Sequence, residues 1–348
     1  MEDRLEYRWI AAFAKVFSLS KVESGDIVAI LSETQSRPLN VQLAELALLQ
    51  LGAKPFHVEV ISPAQTAPVP VRSTGASQAI AGHEGVLAAL TSVPVIVDLT
   101  VEGLMHAPEL PQILKSGARV LTISNEHPDA LERLLPNDEL KAQTLAAARQ
   151  CRSTKQMQVT SRAGTNLTVD MEGAQTVGVW GFTDKPGTLT HWPGGVVVSF
   201  PKAGSTNGTL VLDAGDVNLT FKRYLEQPIT LTIKDDFVTD VDGGGTDGEL
   251  MRRYLASWDD PNAYAVSHVG WGMAKGARYE AMTFYDKEDF NGTEVRAYPG
   301  NFLFSTGANE FAGRFTEGHF DLPVRGCTIS LDGREVVKEG EVVWEEFS

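Results

Sequence analysis

The spacing of apolar residues changes character near residue 155, and this change constrains the fold more than any other feature of the chain. Before it, short apolar runs alternate with segments of helical periodicity. The runs predict strands at residues 26–31, 54–60, 93–99 and 118–124, and the segments predict helices at residues 39–51 and 108–115. Strands and helices that alternate in this way indicate a parallel sheet.

Beyond a predicted helix at residues 137–152, short runs of alternating apolar and polar residues follow one another closely. Gly, Asp, Asn and Pro separate these runs, which lie at residues 156–161, 166–171, 196–200, 209–212 and 229–233. This spacing is typical of antiparallel sheets. We therefore expect an α/β domain with a parallel sheet over residues 1–152. We expect an α+β, mainly antiparallel β domain over residues 153–348 that carries the metal-binding catalytic site.

The charge and cysteine content narrow the class of protein. A formal net charge of −15 argues against nucleic acid or an anionic membrane surface as a partner, because both would repel the chain. No apolar run reaches transmembrane length, and the first residues do not have the pattern of a secretory signal. The two cysteines, Cys151 and Cys327, imply no disulfide framework and fit a reducing cytoplasm. These features predict a cytoplasmic protein.

Two imidazoles and one carboxylate in the last quarter of the chain form a candidate metal site. His268 lies in Ser-His-Val-Gly-Trp-Gly, and His319 and Asp321 lie in Gly-His-Phe-Asp-Leu-Pro. This ligand set holds a mononuclear Fe(II) on one face and leaves the other face open for substrate and O₂. We expect Gly318 and Pro323 to break the strand so that both side chains of His-x-Asp can reach one ion. Either motif alone is more typical of a hydrogen-bonded core histidine, whereas the two together favour an iron oxygenase.

Two further histidines and one serine lie in distinctive settings. His106 follows a predicted parallel strand, on the side of the sheet where such folds bind ligands, and His191 precedes Trp-Pro-Gly-Gly. Each is a candidate general acid or base, although the local sequence alone is more typical of an exposed loop histidine or a helix N-cap neighbour. Ser305 begins a Ser-Thr-Gly sequence that we interpret as a turn suited to a polar planar ligand; the alternative is a buried strand with its capping turn. The sequence contains no Gly-x-Ser-x-Gly motif, which would have indicated nucleophilic catalysis.

The motifs at residues 267–272, 300–307 and 319–321 together closely resemble the 2,5-dihydroxypyridine 5,6-dioxygenases, the ring-cleaving enzymes of bacterial nicotinate and nicotine degradation. The likeness covers nearly the whole chain, because further motifs lie in the family's order at residues 104–109, 161–164, 190–195 and 208–213. The family in turn is similar to thermophile-type leucyl aminopeptidases, which carry a metal-bridging Glu directly after Pro-Gly-Gly. This chain has Val196 there, and valine offers no ligand atom, so the comparison favours one metal ion over two.

The resemblance implies a role for each candidate residue. His268, His319 and Asp321 would hold Fe(II), His106 and His191 would handle protons, and Ser305 would help to hold the ring. The substrates would be O₂ and 2,5-dihydroxypyridine, and the product would be N-formylmaleamate. Because residues 177–182 are apolar, the ring substrate could instead be a close hydroxypyridine. We expect a homo-oligomer. The alternatives are a metal-dependent hydrolase of the same fold, either an aminopeptidase or an aminohydrolase, and a non-catalytic metal-binding protein, which would leave the two additional histidines without a function.

Overall fold

The first half of the chain alternates between helices and strands. The computed structural model describes residues 4–64 and 77–344 of the protein. In chain order the first elements are α1 (Tyr7–Leu19), β1 (Ile27–Glu33), α2 (Pro38–Gln50), β2 (Lys54–Val60), α3 (Glu84–Thr91), β3 (Val95–Asp98), α4 (Leu110–Lys115), β4 (Arg119–Ile123), α5 (Pro128–Arg133) and α6 (Asp138–Ser153). None of the helices in the described ranges is both long and apolar enough to cross a bilayer.

Strands β1 to β4 form the predicted parallel sheet, in the order β2-β1-β3-β4. Strand β1 is apolar along most of its length because both of its faces are covered. Val28 and Ile30 pack against α1 and α2, whereas Ala29 and Leu31 face the side covered by α3 and α4. Because these strands are all parallel, their carboxyl ends lie at one edge of the sheet, where open α/β folds bind ligands.

The second half is rich in antiparallel strands. Its elements are β5 (Gln156–Ser161), β6 (Asn166–Asp170), β7 (Gln175–Val179), β8 (Leu189–Trp192), β9 (Val196–Phe200), β10 (Thr206–Leu212), β11 (Val217–Asn218), β12 (Arg223–Tyr224), β13 (Ile229–Lys234), β14 (Phe237–Gly243), α7 (Gly245–Ser257), β15 (Val266–Gly272), α8 (Ala281–Phe284), α9 (Thr293–Arg296), β16 (Phe302–Asn309), β17 (Arg314–Val324), β18 (Cys327–Leu331), β19 (Arg334–Lys338) and β20 (Glu341–Val342). Short 3-10 turns lie at Pro261–Tyr264, Lys287–Asp289 and Glu310–Ala312.

Two antiparallel sheets pack face to face in this half. The larger has eight strands in the order β14-β13-β10-β6-β5-β18-β19-β20, and the smaller has five in the order β17-β16-β15-β9-β7. Val159 and Leu210 from the larger sheet share one apolar core with Trp271, Phe304 and Phe320 from the smaller. One face of the smaller sheet therefore packs in the core, and the side chains on its opposite face are available to form a site.

Strand β8 connects the two halves of the chain. It pairs in parallel with β4 and so becomes the fifth strand of the first sheet, although it lies well beyond residue 152. The chain then passes through Pro193 and Gly194 into β9 of the smaller antiparallel sheet. The parallel sheet thus uses residues from both sides of position 152, and the division into two domains stays a prediction.

Candidate active site

The predicted metal ligands lie on the free face of the smaller antiparallel sheet. In β17, Phe320 and Leu322 enter the core, so His319 and Asp321 face the other way. Side chains two residues apart share one face of a strand, and no bend is needed to bring them together. The strand indeed runs without interruption through Gly318 and Pro323. The prediction of a strand break at those two residues was therefore wrong.

His268 reaches the same face through a β-bulge. Val266 pairs with Thr306 and Val269 pairs with Phe304, so three steps along β15 match two steps along β16. Both valines enter the core although they are three residues apart. The extra residue re-aims the strand between them, as bulges commonly do next to functional sites, and His268 comes close to His319 and Asp321.

The three side chains form one compact, buried group. The Nε2 atom of His319 lies 3.2 Å from Oδ1 of Asp321, and Nε2 of His268 lies 3.6 Å from the same oxygen. One ligand atom from each of the three residues lies within 4.8 Å of the others. Atoms that bind one ion at about 2.1 Å lie about 3 Å apart when they are at right angles. The arrangement therefore fits a single metal ion.

The protonation states of these groups also suit a metal. Burial lowers the pKa of His268 to about 3, although Asp321 opposes the shift, so its imidazole is neutral near pH 7. Burial works against ionisation of Asp321, but Arg296 and His319 hold the pKa of that carboxyl well below its usual range. A neutral imidazole and an ionised carboxylate both offer a lone pair. The two nitrogens and one oxygen form the donor set that is typical of mononuclear iron.

Two neighbouring side chains orient the Asp321 carboxylate. Arg296, at the end of α9, donates from Nε to Oδ2 over 2.5 Å, and Ser305 donates its hydroxyl to Oδ1. Ser305 lies inside β16 and is completely buried, so the Ser-Thr-Gly sequence is a paired strand and the turn predicted there was wrong. Gly307 resembled a turn signal, but it faces His319 across the ladder, where a Cβ would lie 1.9 Å from the Gly318 carbonyl oxygen.

A cavity of about 180 Å³ extends from this group to the carboxyl edge of the parallel sheet. Of the predicted site residues, the structure places His106, His191, His268, His319 and Asp321 on its wall. Its other lining includes a hydrophobic side formed by Val177, Val179, Val196, Val198, Phe200 and Leu303. Ser305 contacts Asp321 within the sheet instead. Most of the predicted residues therefore come together in one place.

His106 and His191 each use Nδ1 to bind a protein group. Nδ1 of His191 lies 2.7 Å from the carbonyl oxygen of Pro193, which can only accept, so this nitrogen carries the hydrogen and Nε2 is the acceptor. Burial lowers the pKa of His191 to about 4. Nδ1 of His106 lies 3.2 Å from Oε1 of Glu310, and its ring centroid lies 5.7 Å from that of His319.

Buried carboxylates at the edge of the parallel sheet hold the loops that carry these groups. Asp98, at the end of β3, accepts hydrogen bonds from the backbone nitrogens of Thr100 and Leu104, which shapes the loop before His106. Glu126, beyond β4, accepts from the backbone nitrogens of Asn291 and Thr293. Burial raises the pKa of both carboxyls. The first turn of α9, which carries Arg296, is thereby fixed to the parallel sheet.

Sequence reasoning missed Arg296, Glu126 and Glu310. None lies in a recognisable motif, and each meets its partner only through the fold: Glu310 and His106 are 204 positions apart in sequence. The one available signal was weak. A strand that presents an isolated carboxylate on a buried face needs a counter-charge, and this predicts a nearby arginine without saying which one.

Sequence and structure comparisons relate the chain to known proteins. The sequence profile of a family described as 2,5-dihydroxypyridine 5,6-dioxygenase matches residues 8–344. A 2,5-dihydroxypyridine 5,6-dioxygenase from Pseudomonas putida is 37% identical over 342 residues, which cover 97% of this chain and 96% of that protein. A solved structure of a 2,5-dihydroxypyridine dioxygenase from Pseudomonas putida KT2440 matches with a TM-score of 0.92 at 36% identity, over 98% of both chains. Wild-type AmpT from Thermus thermophilus, at 16% identity, has a TM-score of 0.67 over 97% of this chain and 99% of its own, and so shares the fold.

Proposed function

The chain belongs to the 2,5-dihydroxypyridine 5,6-dioxygenase family, and we propose that it cleaves the ring of 2,5-dihydroxypyridine, or of a close hydroxypyridine, with O₂ at a single Fe(II) ion. The observation that carries this proposal is the group formed by His268, His319 and Asp321 in the wall of a cavity that also holds two further histidines. Bound Fe(II) would supply the redox chemistry that lets O₂ react with a closed-shell ring.

The cavity is lined by both apolar and polar side chains, which suits a partly polar ring. Val196, Val198 and Leu303 offer an apolar surface to the ring and exclude water from it. None of the three has an atom that could bridge a second metal ion. Thr122, Ser124 and Asn291 line the cavity as well and offer hydrogen-bonding groups to the ring nitrogen and oxygens.

His191 would orient the substrate. Its Nδ1–H is committed to the Pro193 carbonyl, so Nε2 presents a lone pair. Because burial keeps the imidazole neutral near pH 7, it accepts a hydrogen bond from a substrate hydroxyl without first losing a proton. His106, which also lines the cavity, would take up a proton as the ring opens and return it to the product.

The reaction proposed for the dihydroxypyridine is balanced without a further reductant. The bond between C5 and C6 breaks, and both oxygen atoms of O₂ enter the product, N-formylmaleamate. The hydroxyl-bearing carbon becomes a carboxyl group, and its neighbour becomes the formyl group on nitrogen. The protein needs only to hold the ring, the ion and one mobile proton in place.

Oxygen uptake tests the proposal. Protein reconstituted anaerobically with Fe(II) should consume one O₂ for each 2,5-dihydroxypyridine added, and the product should have the mass of N-formylmaleamate. His319→Ala, prepared in the same way, is the matched control and should show neither change. Hydrolysis of amino-acid amides without O₂ uptake would contradict the dioxygenase and favour a hydrolase on this fold.

A further inference from the structure

The ion pair between Glu310 and His106 joins two separate elements of the fold beside the cavity, which His106 lines. His106 belongs to the loop that follows β3 in the parallel sheet, and Glu310 begins the 3-10 turn between β16 and β17. Oε1 of Glu310 lies 3.2 Å from Nδ1 of His106, and the two side chains are 40% and 10% exposed. The contact thus joins a loop of the first sheet to the hairpin that carries the predicted metal ligands.

We propose that Glu310 is a positioning residue for His106, which it holds with the hydrogen on Nδ1 and a bare Nε2 available to the substrate. This inference rests on the proposed function, because it assigns a partner to the group that moves the proton. No feature of the sequence around Glu310 indicates the role.

The chemistry of the pair determines which ring nitrogen carries the hydrogen. An ionised carboxylate has only lone pairs, so Nδ1 must be the donor, and a neutral His106 then has its free lone pair on Nε2. The hydrogen bond to His106 lowers the pKa of Glu310, which keeps the carboxyl ionised near neutral pH. When His106 accepts a proton, the same carboxylate stabilises the imidazolium, as the aspartate of a catalytic triad does.

His106 lies close enough to the predicted metal ligands for its bare Nε2 to act on a bound substrate. Its ring centroid lies 5.7 Å from that of His319, and both residues line the cavity with Asp321. A substrate held beside the predicted ligands therefore lies next to His106. A ring that turned over, or that carried its hydrogen on Nε2, would present a donor where the reaction needs an acceptor.

Because Glu310 is half-exposed, an effect of its removal on folding can be distinguished from an effect on His106. A pair with one half-exposed partner typically contributes little to folding. Removing Glu310 should therefore leave the fold intact, and any large effect on turnover reflects the imidazole. Glu317, an exposed acid on β17 of the same hairpin that bonds the Gln78 amide instead of an imidazole, provides the matched control.

A double-mutant cycle on turnover is the first test. Glu310→Ala should lower kcat by about 10–100-fold, with KM and iron per chain unchanged. In a His106→Ala background the same substitution should cause no further loss, because the group it positions is gone. Glu317→Ala should keep the parent kcat. A loss that is as large with His106 absent as with it present would overturn the proposal.

The second test does not depend on activity. In metal-free protein labelled with ¹⁵N-histidine, the signals of His106, assigned by their absence in His106→Gln, should show the proton on Nδ1. Glu310→Ala should move the population toward the Nε2–H form, and Glu317→Ala should not. A parent protein with the proton on Nε2 would overturn the proposal. If that proton were on Nδ1 but O₂ uptake were absent, the proposed function would fail and the positioning role would stand as a property of the fold.

Discussion

Ser305 lies directly opposite Asp321 in the ladder between β16 and β17, and its hydroxyl donates a hydrogen bond to Oδ1 of that carboxylate. Oδ1 is also the oxygen closest to Nε2 of both histidines, and Arg296 donates to the other oxygen. Two donors on opposite oxygens fix the plane of the carboxylate before any ion arrives. The predicted metal site is therefore preorganised by residues that do not bind the metal.

Ser305→Ala should weaken Fe(II) binding. The substitution removes one of the donors that orient the carboxylate, and loss of such a partner typically costs about 10–100-fold in metal affinity. Titration of the metal-free protein with Fe(II) under anaerobic conditions measures the effect. Thr306→Val is the control, because the neighbouring hydroxyl is buried and has no hydrogen-bond partner among the described residues. Equal affinities in the two variants would argue against an orienting role for Ser305.

Arg296→Met should destabilise the metal-free protein. It leaves the Asp321 carboxylate buried without its counter-charge, and breaking a buried pair typically costs about 3–5 kcal/mol. The loss should be smaller with Fe(II) bound, because the ion supplies positive charge at the same carboxylate. Urea unfolding of both forms gives the comparison. Arg253→Met is the matched control: that arginine forms an exposed pair with Glu249, for which we expect at most about 0.5 kcal/mol.

The outline of the fold could be predicted from sequence because it follows from side-chain periodicity. Strand β9 lies at the predicted residues 196–200, and α6 begins after Asn137, which caps it. Strand β8 was missed because its four residues are too short to show a period and its partner, β4, is distant in sequence. Local patterns contain no information about such a pairing.

The candidate site was predicted only in part, for a related physical reason. The types of its ligand residues are visible in the sequence, but the bulge that turns His268 toward the site depends on the register between β15 and β16. The orientation of Ser305 depends on its position opposite Asp321. Gly307 looks like a turn signal in the sequence. The structure shows instead that it allows the close approach of β17, because a side chain there would collide with the backbone of Gly318.

We expect one iron ion per chain. Val196 lies in the cavity wall without a ligand atom, so the structure offers a second ion no bridging carboxylate there. Metal analysis after reconstitution should approach one, and His319→Ala should bring it near zero. His57→Ala, which changes a half-exposed histidine on β2 bonded to Glu45, should keep the parent value. A reproducible value near two, with both ions required for turnover, would contradict a mononuclear centre.

Neither cysteine should be required for activity. Cys151 and Cys327 lie in the core between the antiparallel sheets, and burial raises the pKa of each thiol to about 12. Both are therefore protonated and unreactive near neutral pH. The double variant Cys151→Ala and Cys327→Ala should turn over within a few-fold of the parent despite some loss of packing. A thiol reagent should label the folded parent only as it unfolds, and fast labelling with loss of activity would indicate a thiol function.

The stability of the metal-free protein should fall as the pH drops from 7 to 5, and His191 should account for a measurable part of the loss. Its pKa is about 4 in the folded protein, against an ordinary value near 6.5, so between these values the unfolded chain binds a proton that the folded chain does not. Acid therefore favours unfolding, by about 2 kcal/mol from this residue at pH 5. Urea unfolding at the two pH values should show a loss about 2 kcal/mol smaller in His191→Gln. His57→Gln serves as the control, and a pH dependence equal to the parent's in His191→Gln would show that burial does not keep this imidazole neutral.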